Sequence, residues 1–111
     1  MRLTLTALCL ALAACGNQKP EAERGRLLLR QFGCGACHEI PGVAAADGKV
    51  GPPLAGIARR VYLGGVWPNT PQNMTAFIRA PEKADPRTAM PNLGVTEAHA
   101  RDMTAYLYTL K

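Results

Sequence analysis

Aromatic side chains are scarce in this chain of 111 residues, which contains two Phe, one Trp and three Tyr. A chain of this length forms one domain at most, and so small a domain has little apolar area to bury. Domains of this size often depend on a covalent link or a bound cofactor for stability. The scarcity of large apolar side chains therefore favours a fold that is completed by something besides its own core.

Positive charge is present but not concentrated. The formal net charge is +5, yet no run of Lys and Arg forms a polybasic patch. Such a dispersed excess does not support nucleic-acid binding. It is instead suited to steering the protein towards an acidic partner surface.

No apolar run reaches the roughly 20 residues that a membrane-spanning helix requires. Residues 1–14 combine a short charged start with an apolar stretch and small residues, as a secretory signal does. We therefore predict a signal peptide over 1–14, a short tether over 15–20 and the folded domain over 21–111.

The end of this signal, Leu12–Ala13–Ala14–Cys15, resembles the cleavage box of bacterial lipoproteins. The resemblance implies that Cys15 becomes the lipidated first residue of an exported protein, anchored on the periplasmic side of a bacterial membrane. The alternative is an ordinary signal cleaved nearby, with Cys15 removed or left as a free thiol. Cleavage before Cys15 removes Arg2 and lowers the net charge to +4.

Convincing alternation of apolar and polar residues is also missing, so we predict no strand. Helical signals are present instead. One helix should run from about Pro20 to Phe32 and another from Thr70 or Pro71 to Arg79. Thr96 should cap a last helix with an apolar stripe at Ala100, Met103, Leu107 and Leu110.

The remaining segments are rich in Pro and Gly and are predicted as loops, over residues 41–53, 62–71 and 81–93. A short helix or turn is predicted over 54–61. Loops of this length are unusual in a compact domain unless they wrap something. We therefore predict an all-α fold of three to five short helices, with long loops around a ligand.

Two of the four cysteines lie in the predicted domain, within Cys34–Gly35–Ala36–Cys37–His38. This C-x-x-C-H pattern is a signature of covalent haem attachment, in which the thiols form thioethers with the haem vinyl groups. The adjacent imidazole is a strong iron ligand. We predict one haem c, attached to Cys34 and Cys37, with His38 bound to its iron.

Three other interpretations of the motif are weaker. A zinc site takes about four protein ligands, and only His99 is available beyond the motif. A thioredoxin-like pair occurs in a βαβ context, which the chain lacks. A disulfide between Cys34 and Cys37 would close a very small, strained loop with little stabilising effect.

A second axial ligand has to come from elsewhere, and the candidates include Lys side chains. Met74 and Met103 lie on predicted helices and are expected in the core, whereas His99 is expected in solvent. Met90 lies in a loop rich in Pro and polar residues, where an apolar side chain needs something to hold it. We therefore predict that Met90 is the ligand. A Met–His pair would raise the reduction potential of the iron above that of two histidines.

The order of these motifs resembles that of the class I c-type cytochromes over about residues 21–111. A haem motif near the start is followed by a Gly-Pro-x-Leu segment, a Met-Pro loop and a closing Ala-Tyr-Leu helix, here residues 34–38, 51–54, Met90–Pro91 and 105–107. The resemblance implies the cytochrome c fold, with His38 and Met90 as axial ligands. It also implies that the first and last helices cross near Gly25 and Tyr106.

The same resemblance implies roles for residues around the haem. The carbonyl of Pro52 should accept a hydrogen bond from His38, which orients the imidazole ring. Arg60, Trp67 and Thr88 could contact the haem propionates. The chain departs from the family at two positions, since Leu29 and Phe77 stand where members often have aromatic and Tyr side chains, respectively.

Residues 69–73 and 90–95 are similar to cytochrome domains that are fused to, or serve, haem–copper oxidases. The implied function is transfer of single electrons from a quinol-oxidising complex or a dehydrogenase to a terminal oxidase, without an enzymatic reaction. One alternative is a haem-based gas sensor with a displaceable Met90. Another is a thiol–disulfide oxidoreductase, which would keep free thiols at Cys34 and Cys37.

Overall fold

Residues 19–111 are the part of the chain that the computed structural model describes. The predictions of a signal peptide over 1–14 and of lipidation at Cys15 lie outside the described residues. Within 19–111 there are 3₁₀ turns at Cys34–Ala36 and Ile57–Arg59. The helices and strands are α1 (Pro20–Gln31), β1 (Tyr62–Leu63), β2 (Trp67–Pro68), α2 (Pro71–Arg79), α3 (Pro81–Ala84) and α4 (Glu97–Leu107).

The first residues of helix α1 favour the start of a helix, where the helix dipole is positive. Pro20 occupies the first turn, and Glu21 and Glu23 bring carboxylates to it. The helix ends just before Gly33, whose φ of 73° is left-handed and redirects the chain towards Cys34. The predicted first helix is thus confirmed to within one residue at its end.

Helices α2 and α4 both begin at a threonine cap. Thr70 Oγ1 accepts a hydrogen bond from the backbone N–H of Asn73 at 3.1 Å, and Thr96 Oγ1 accepts one from that of His99 at 3.2 Å. Each bond satisfies an amide that has no partner within the helix itself. The two predicted helix starts are therefore confirmed, and α2 ends at Arg79 as expected.

The crossing of α1 and α4 is the most extensive contact between elements of the fold. Gly25 lies at the closest approach, where a Cβ atom would be 1.9 Å from the backbone oxygen of Asp102. Tyr106 lies one turn farther along α4, and its hydroxyl donates to the carbonyl of Pro41. The predicted crossing is confirmed, and Tyr106 also ties α4 to the loop that follows the C-x-x-C-H motif.

One short element contradicts the prediction that the chain has no strand. Strands β1 and β2 pair in antiparallel register to form a ribbon of two residue pairs. Gly64 and Gly65 make its turn with φ values of 54° and 72°, which glycine adopts without the steric cost of a Cβ. A ribbon this short leaves no alternating pattern in the sequence, which is why it was not predicted.

A second short element is α3, which lies in a segment predicted as a loop. It is a single turn that begins with Pro81 and carries Glu82 near its start. A helix of four residues shows no apolar periodicity, so the density of Pro dominated the prediction. The architecture is still helical, and the predicted fold class is confirmed with the ribbon as an addition.

The core lies between the three longer helices and the loops beside them. Met74 is 3% exposed and Met103 is fully buried, so both belong to the core as predicted. Thr104 is buried as well, and its hydroxyl lies 3.0 Å from that of Thr75, which links α4 to α2. None of the helices within 19–111 is long and apolar enough to cross a membrane.

Candidate haem-binding site

The C-x-x-C-H motif folds into a tight turn directly after α1. The amides of Cys37 and His38 both donate to the carbonyl of Cys34, at 3.2 and 3.1 Å. The amide of Ala36 donates to Gly33 at 3.1 Å. These bonds fix the backbone from which the two thiols and the imidazole project.

Cys34 and Cys37 are both partly buried at this turn. Burial raises the pKa of the Cys34 thiol above its usual value. A redox-active cysteine of the thioredoxin type has the opposite property, a lowered pKa that keeps it as a reactive thiolate. The environment of Cys34 therefore does not favour the thiol–disulfide oxidoreductase hypothesis.

The orientation of the His38 ring is set by one hydrogen bond. Its Nδ1 atom lies 2.7 Å from the carbonyl oxygen of Pro52. A carbonyl oxygen only accepts, so Nδ1 carries the hydrogen and donates it. The Nε2 lone pair is then available to a metal, as in other sites where a backbone carbonyl selects the tautomer of a ligating histidine.

The segment that carries Pro52 is held on both sides. The amide of Gly51 donates to the carbonyl of Cys37 at 2.7 Å, and the amide of Leu54 donates to that of Glu39 at 2.8 Å. Gly51 also packs against the His38 ring, because a Cβ at this position would lie 2.4 to 2.9 Å from three ring atoms. The acceptor of the His38 hydrogen bond is therefore fixed relative to the motif.

Arg60 and Trp67 lie close in the chain to this segment. The Arg60 guanidinium donates to the carbonyl of Pro53 and, at 3.5 Å, to that of Ala55. Trp67 lies in β2 and packs edge-on against Phe77, with ring centroids 6.0 Å apart. Neither Arg60 nor Trp67 forms a hydrogen bond with His38 in the described part of the chain.

Met90 lies in the irregular segment between α3 and α4 and is partly buried. Its backbone N–H donates to Thr88 Oγ1 at 3.1 Å. Asn92, two residues later, donates to Glu82 of α3 at 2.9 Å and accepts from the amide of Gly94 at 3.0 Å. The loop is therefore tied to α3, a connection that no pattern in the sequence indicated.

The other candidate ligands are less well suited to binding iron. Met74 and Met103 are in the core, as described above. His99 is exposed, and its ring meets Phe32 edge-on with centroids 6.1 Å apart. Its exposure agrees with the expectation that His99 is solvated.

The side chains near the motif suit a haem better than a metal ion held by protein ligands alone. Within residues 19–111, no group of three or more His, Cys, Asp or Glu side chains converges to hold a metal ion. The chain thus lacks the ligands of a closed zinc site in this region. Covalent haem requires two thiols, an imidazole and a further ligand for the iron. Cys34 and Cys37, the Nε2 atom of His38 and the partly buried thioether of Met90 are donors of these kinds, so the residues fit this group.

Comparison with known proteins agrees with this chemistry. The family model described as "Cytochrome c" matches residues 22–111. The chain is also similar to cytochrome c oxidase subunit 2 of Alkalihalophilus pseudofirmus, with 29% identity over 91 residues. That match covers 81% of this chain and 26% of the oxidase subunit, so the chain spans about a quarter of the length of this relative.

The chain belongs to the cytochrome c family. Its cofactor is covalently bound haem c with iron, and the activity of the family is haem-based electron transfer. Cytochrome c domains are typically electron carriers rather than enzymes, and they are typically exported. The predicted resemblance to class I c-type cytochromes and to oxidase-associated cytochrome domains is confirmed.

Proposed function

We propose that this cytochrome c carries single electrons at a membrane surface, with His38 and Met90 as the two axial ligands of its haem iron. The observation that supports the proposal most directly is the hydrogen bond of 2.7 Å between His38 Nδ1 and the Pro52 carbonyl. It leaves Nε2 as the only ring nitrogen that can bind iron. When bound, haem supplies the one-electron change between Fe(III) and Fe(II).

Each proposed ligand contributes a distinct property. The Pro52 carbonyl makes the His38 imidazole a better electron donor and prevents its rotation. The thioether of Met90 favours Fe(II), which raises the reduction potential. If His38 and Met90 both hold the iron, the haem would supply electron transfer without offering a binding position to a substrate, as suits a carrier.

We also propose that Arg60 and Trp67 bind the haem propionates. Arg60 uses one terminal nitrogen for the carbonyls of Pro53 and Ala55, and its other N–H groups can bind a carboxylate. The indole N–H of the partly buried Trp67 donates to no acceptor within residues 19–111 and can donate to the same group. Thr88 Oγ1 accepts from the Met90 amide, and its own O–H can still donate to a propionate.

Replacing Met90 with alanine tests the distal ligand. We expect the weak far-red absorption band of Met-ligated Fe(III) to disappear completely, while intact mass shows that the haem remains covalently attached. The reduction potential should fall, because the thioether no longer favours Fe(II). Met74→Leu is the matched control, since it conserves the volume of a core methionine and should retain the band.

The same variants distinguish the carrier from a gas sensor. A carrier with Met90 bound should react slowly with carbon monoxide in the wild type and rapidly after Met90→Ala. Survival of the band in Met90→Ala would show that another side chain is the ligand. Rapid carbon monoxide binding by the reduced wild-type protein would instead support the sensor.

For the membrane and the partners, we propose a lipid anchor at Cys15, a quinol-oxidising complex or a dehydrogenase as electron donor, and a terminal oxidase as acceptor. The lipoprotein-like sequence that ends at Cys15 supports the anchor. The similarity to an oxidase subunit supports the acceptor. Transient, charge-steered contacts suit such exchange, and the net positive charge favours acidic docking surfaces.

Replacing Cys15 with serine tests the anchor and the partners together. We expect the haem protein to move from the membrane fraction to the soluble fraction. Electron flow from quinol or dehydrogenase to the oxidase should then fall in washed membranes and recover when the soluble variant is added in excess. Cys9→Ser, within the predicted signal, is the control and should leave the protein in the membrane fraction. Membrane retention of Cys15→Ser would contradict the anchor, and absence of recovery would contradict the proposed partners.

A further inference from the structure

The side chain of Asn69 joins three parts of the chain that are distant in sequence. Its Nδ2 group donates to the carbonyls of Ile57 at 2.9 Å and Arg60 at 2.8 Å. Its Oδ1 atom accepts from the hydroxyl of Tyr108, at the end of α4, at 2.5 Å. Both amide hydrogens and the side-chain carbonyl are therefore used in structural contacts.

The carbonyls of Ile57 and Arg60 belong to residues 57–61, which we call segment 57–61. Two backbone hydrogen bonds also hold this segment. The amide of Asn69 donates to the carbonyl of Val61 at 2.9 Å. The amide of Ala58 donates to the carbonyl of Leu110 at 3.1 Å. Segment 57–61 is thus attached both to the ribbon and to the C-terminal end of the chain, and Asn69 provides its two side-chain anchors.

Arg60 connects segment 57–61 to the residues next to Pro52, whose carbonyl accepts the hydrogen bond from His38. Arg60, whose carbonyl is bound by Asn69, directs its guanidinium back to the carbonyls of Pro53 and Ala55. Pro53 directly follows Pro52, whose carbonyl accepts from His38 Nδ1. The backbone of residues 52–55 is therefore held between the haem motif and segment 57–61.

We propose that Asn69 is a positioning residue for the His38 imidazole. By fixing segment 57–61 it holds Arg60 and residues 52–55 in place, and so maintains the hydrogen bond between His38 and Pro52. The inference rests on the proposed role of His38 as an axial ligand. Because that hydrogen bond increases the electron donation of the imidazole, Asn69 influences the reduction potential without touching the haem.

Replacing Asn69 with aspartate tests this role. Aspartate keeps the shape of the side chain and the acceptor for Tyr108, but in place of Nδ2 it turns one acceptor oxygen towards two carbonyls that need donors. In the reduced holoprotein, we expect the His38 Nδ1–H proton to exchange with solvent about tenfold faster, because its hydrogen bond to Pro52 is weakened or lost. The reduction potential should differ from that of the wild type.

The matched control is Asn73→Asp. Asn73 lies four residues away in α2, and its Nδ2 group donates to the carbonyl of Pro68 at 2.9 Å. The change therefore adds the same charge and removes the same type of bond in the same region, but leaves segment 57–61 untouched. We expect the exchange rate of the His38 proton and the potential to remain those of the wild type.

Tyr108→Phe provides a milder version of the test if Asn69→Asp does not fold. It removes the bond to Asn69 Oδ1 and retains both donors to segment 57–61, so the His38 proton should exchange faster than in the wild type but by less than about tenfold. A wild-type exchange rate in every one of these variants that folds, even with lower thermal stability, would show that Asn69 has only a structural role. A failure of the axial role of His38 is distinguishable, because it would appear in the spectrum of the wild type.

Discussion

Replacing Gly51 with alanine is expected to displace the His38 ring while the haem stays attached to both cysteines. The added Cβ would lie 2.4 Å from Cε1, 2.7 Å from Nδ1 and 2.9 Å from Nε2 of the imidazole. Ordinary contacts between such atoms are near 3.5 Å or longer, so the ring or the backbone has to move. Either movement disrupts the hydrogen bond from Nδ1 to Pro52.

Displacement of the His38 ring should change the haem spectrum even though the protein still folds. We expect an increased high-spin fraction, faster binding of carbon monoxide to the reduced protein and a free energy of unfolding lower by about 1–3 kcal/mol. Gly65→Ala is the control, since Gly65 has a φ of 72° and no atom near its Cβ position. That variant should lose stability through backbone strain alone. A wild-type spectrum and carbon monoxide rate in Gly51→Ala would contradict the close packing against His38.

Replacing Gly25 with alanine should lower the free energy of unfolding by about 3 kcal/mol, because the crossing of α1 and α4 has no room for a methyl group. The new Cβ would lie 1.9 Å from the backbone oxygen of Asp102 and 2.4 Å from its carbonyl carbon. Backbone atoms cannot rotate away as a flexible side chain can, so the two helices would have to separate.

Helix propensity predicts the opposite sign for this substitution. Within a helix, alanine is normally favoured over glycine by about 1 kcal/mol. Denaturant unfolding of the holoprotein therefore decides between the two effects. Ala76→Gly, at an exposed position inside α2, measures the propensity effect in the same protein and should cost about 1 kcal/mol. Greater stability of Gly25→Ala would show that the helices do not approach as closely as described.

Features that depend on short spacings were predictable. The C-x-x-C-H motif places its chemistry within five residues, and the caps at Thr70 and Thr96 act on amides three residues away. Such interactions form wherever the local backbone is helical, so residue type and spacing are sufficient to predict them. The haem motif, the three longer helices and the core positions of Met74 and Met103 were predicted on this basis.

Short elements without a pattern were not predictable. The ribbon of β1 and β2 has two residue pairs, and α3 has one turn. Neither is long enough to repeat the apolar spacing that distinguishes a strand from a helix. Both are stabilised by their surroundings rather than by propensity, since isolated elements of this length are unstable in water.

By itself, the sequence determined the haem attachment motif, the order of the helices and the family to which the chain belongs. Only the tertiary structure decided how the site is supported: Gly51 against the His38 ring, Gly25 against Asp102, and Asn69 between Arg60 and Tyr108. The physical reason is sequence separation. Asn69 and Tyr108 are 39 residues apart, and such partners meet only when whole helices pack, which no local spacing encodes.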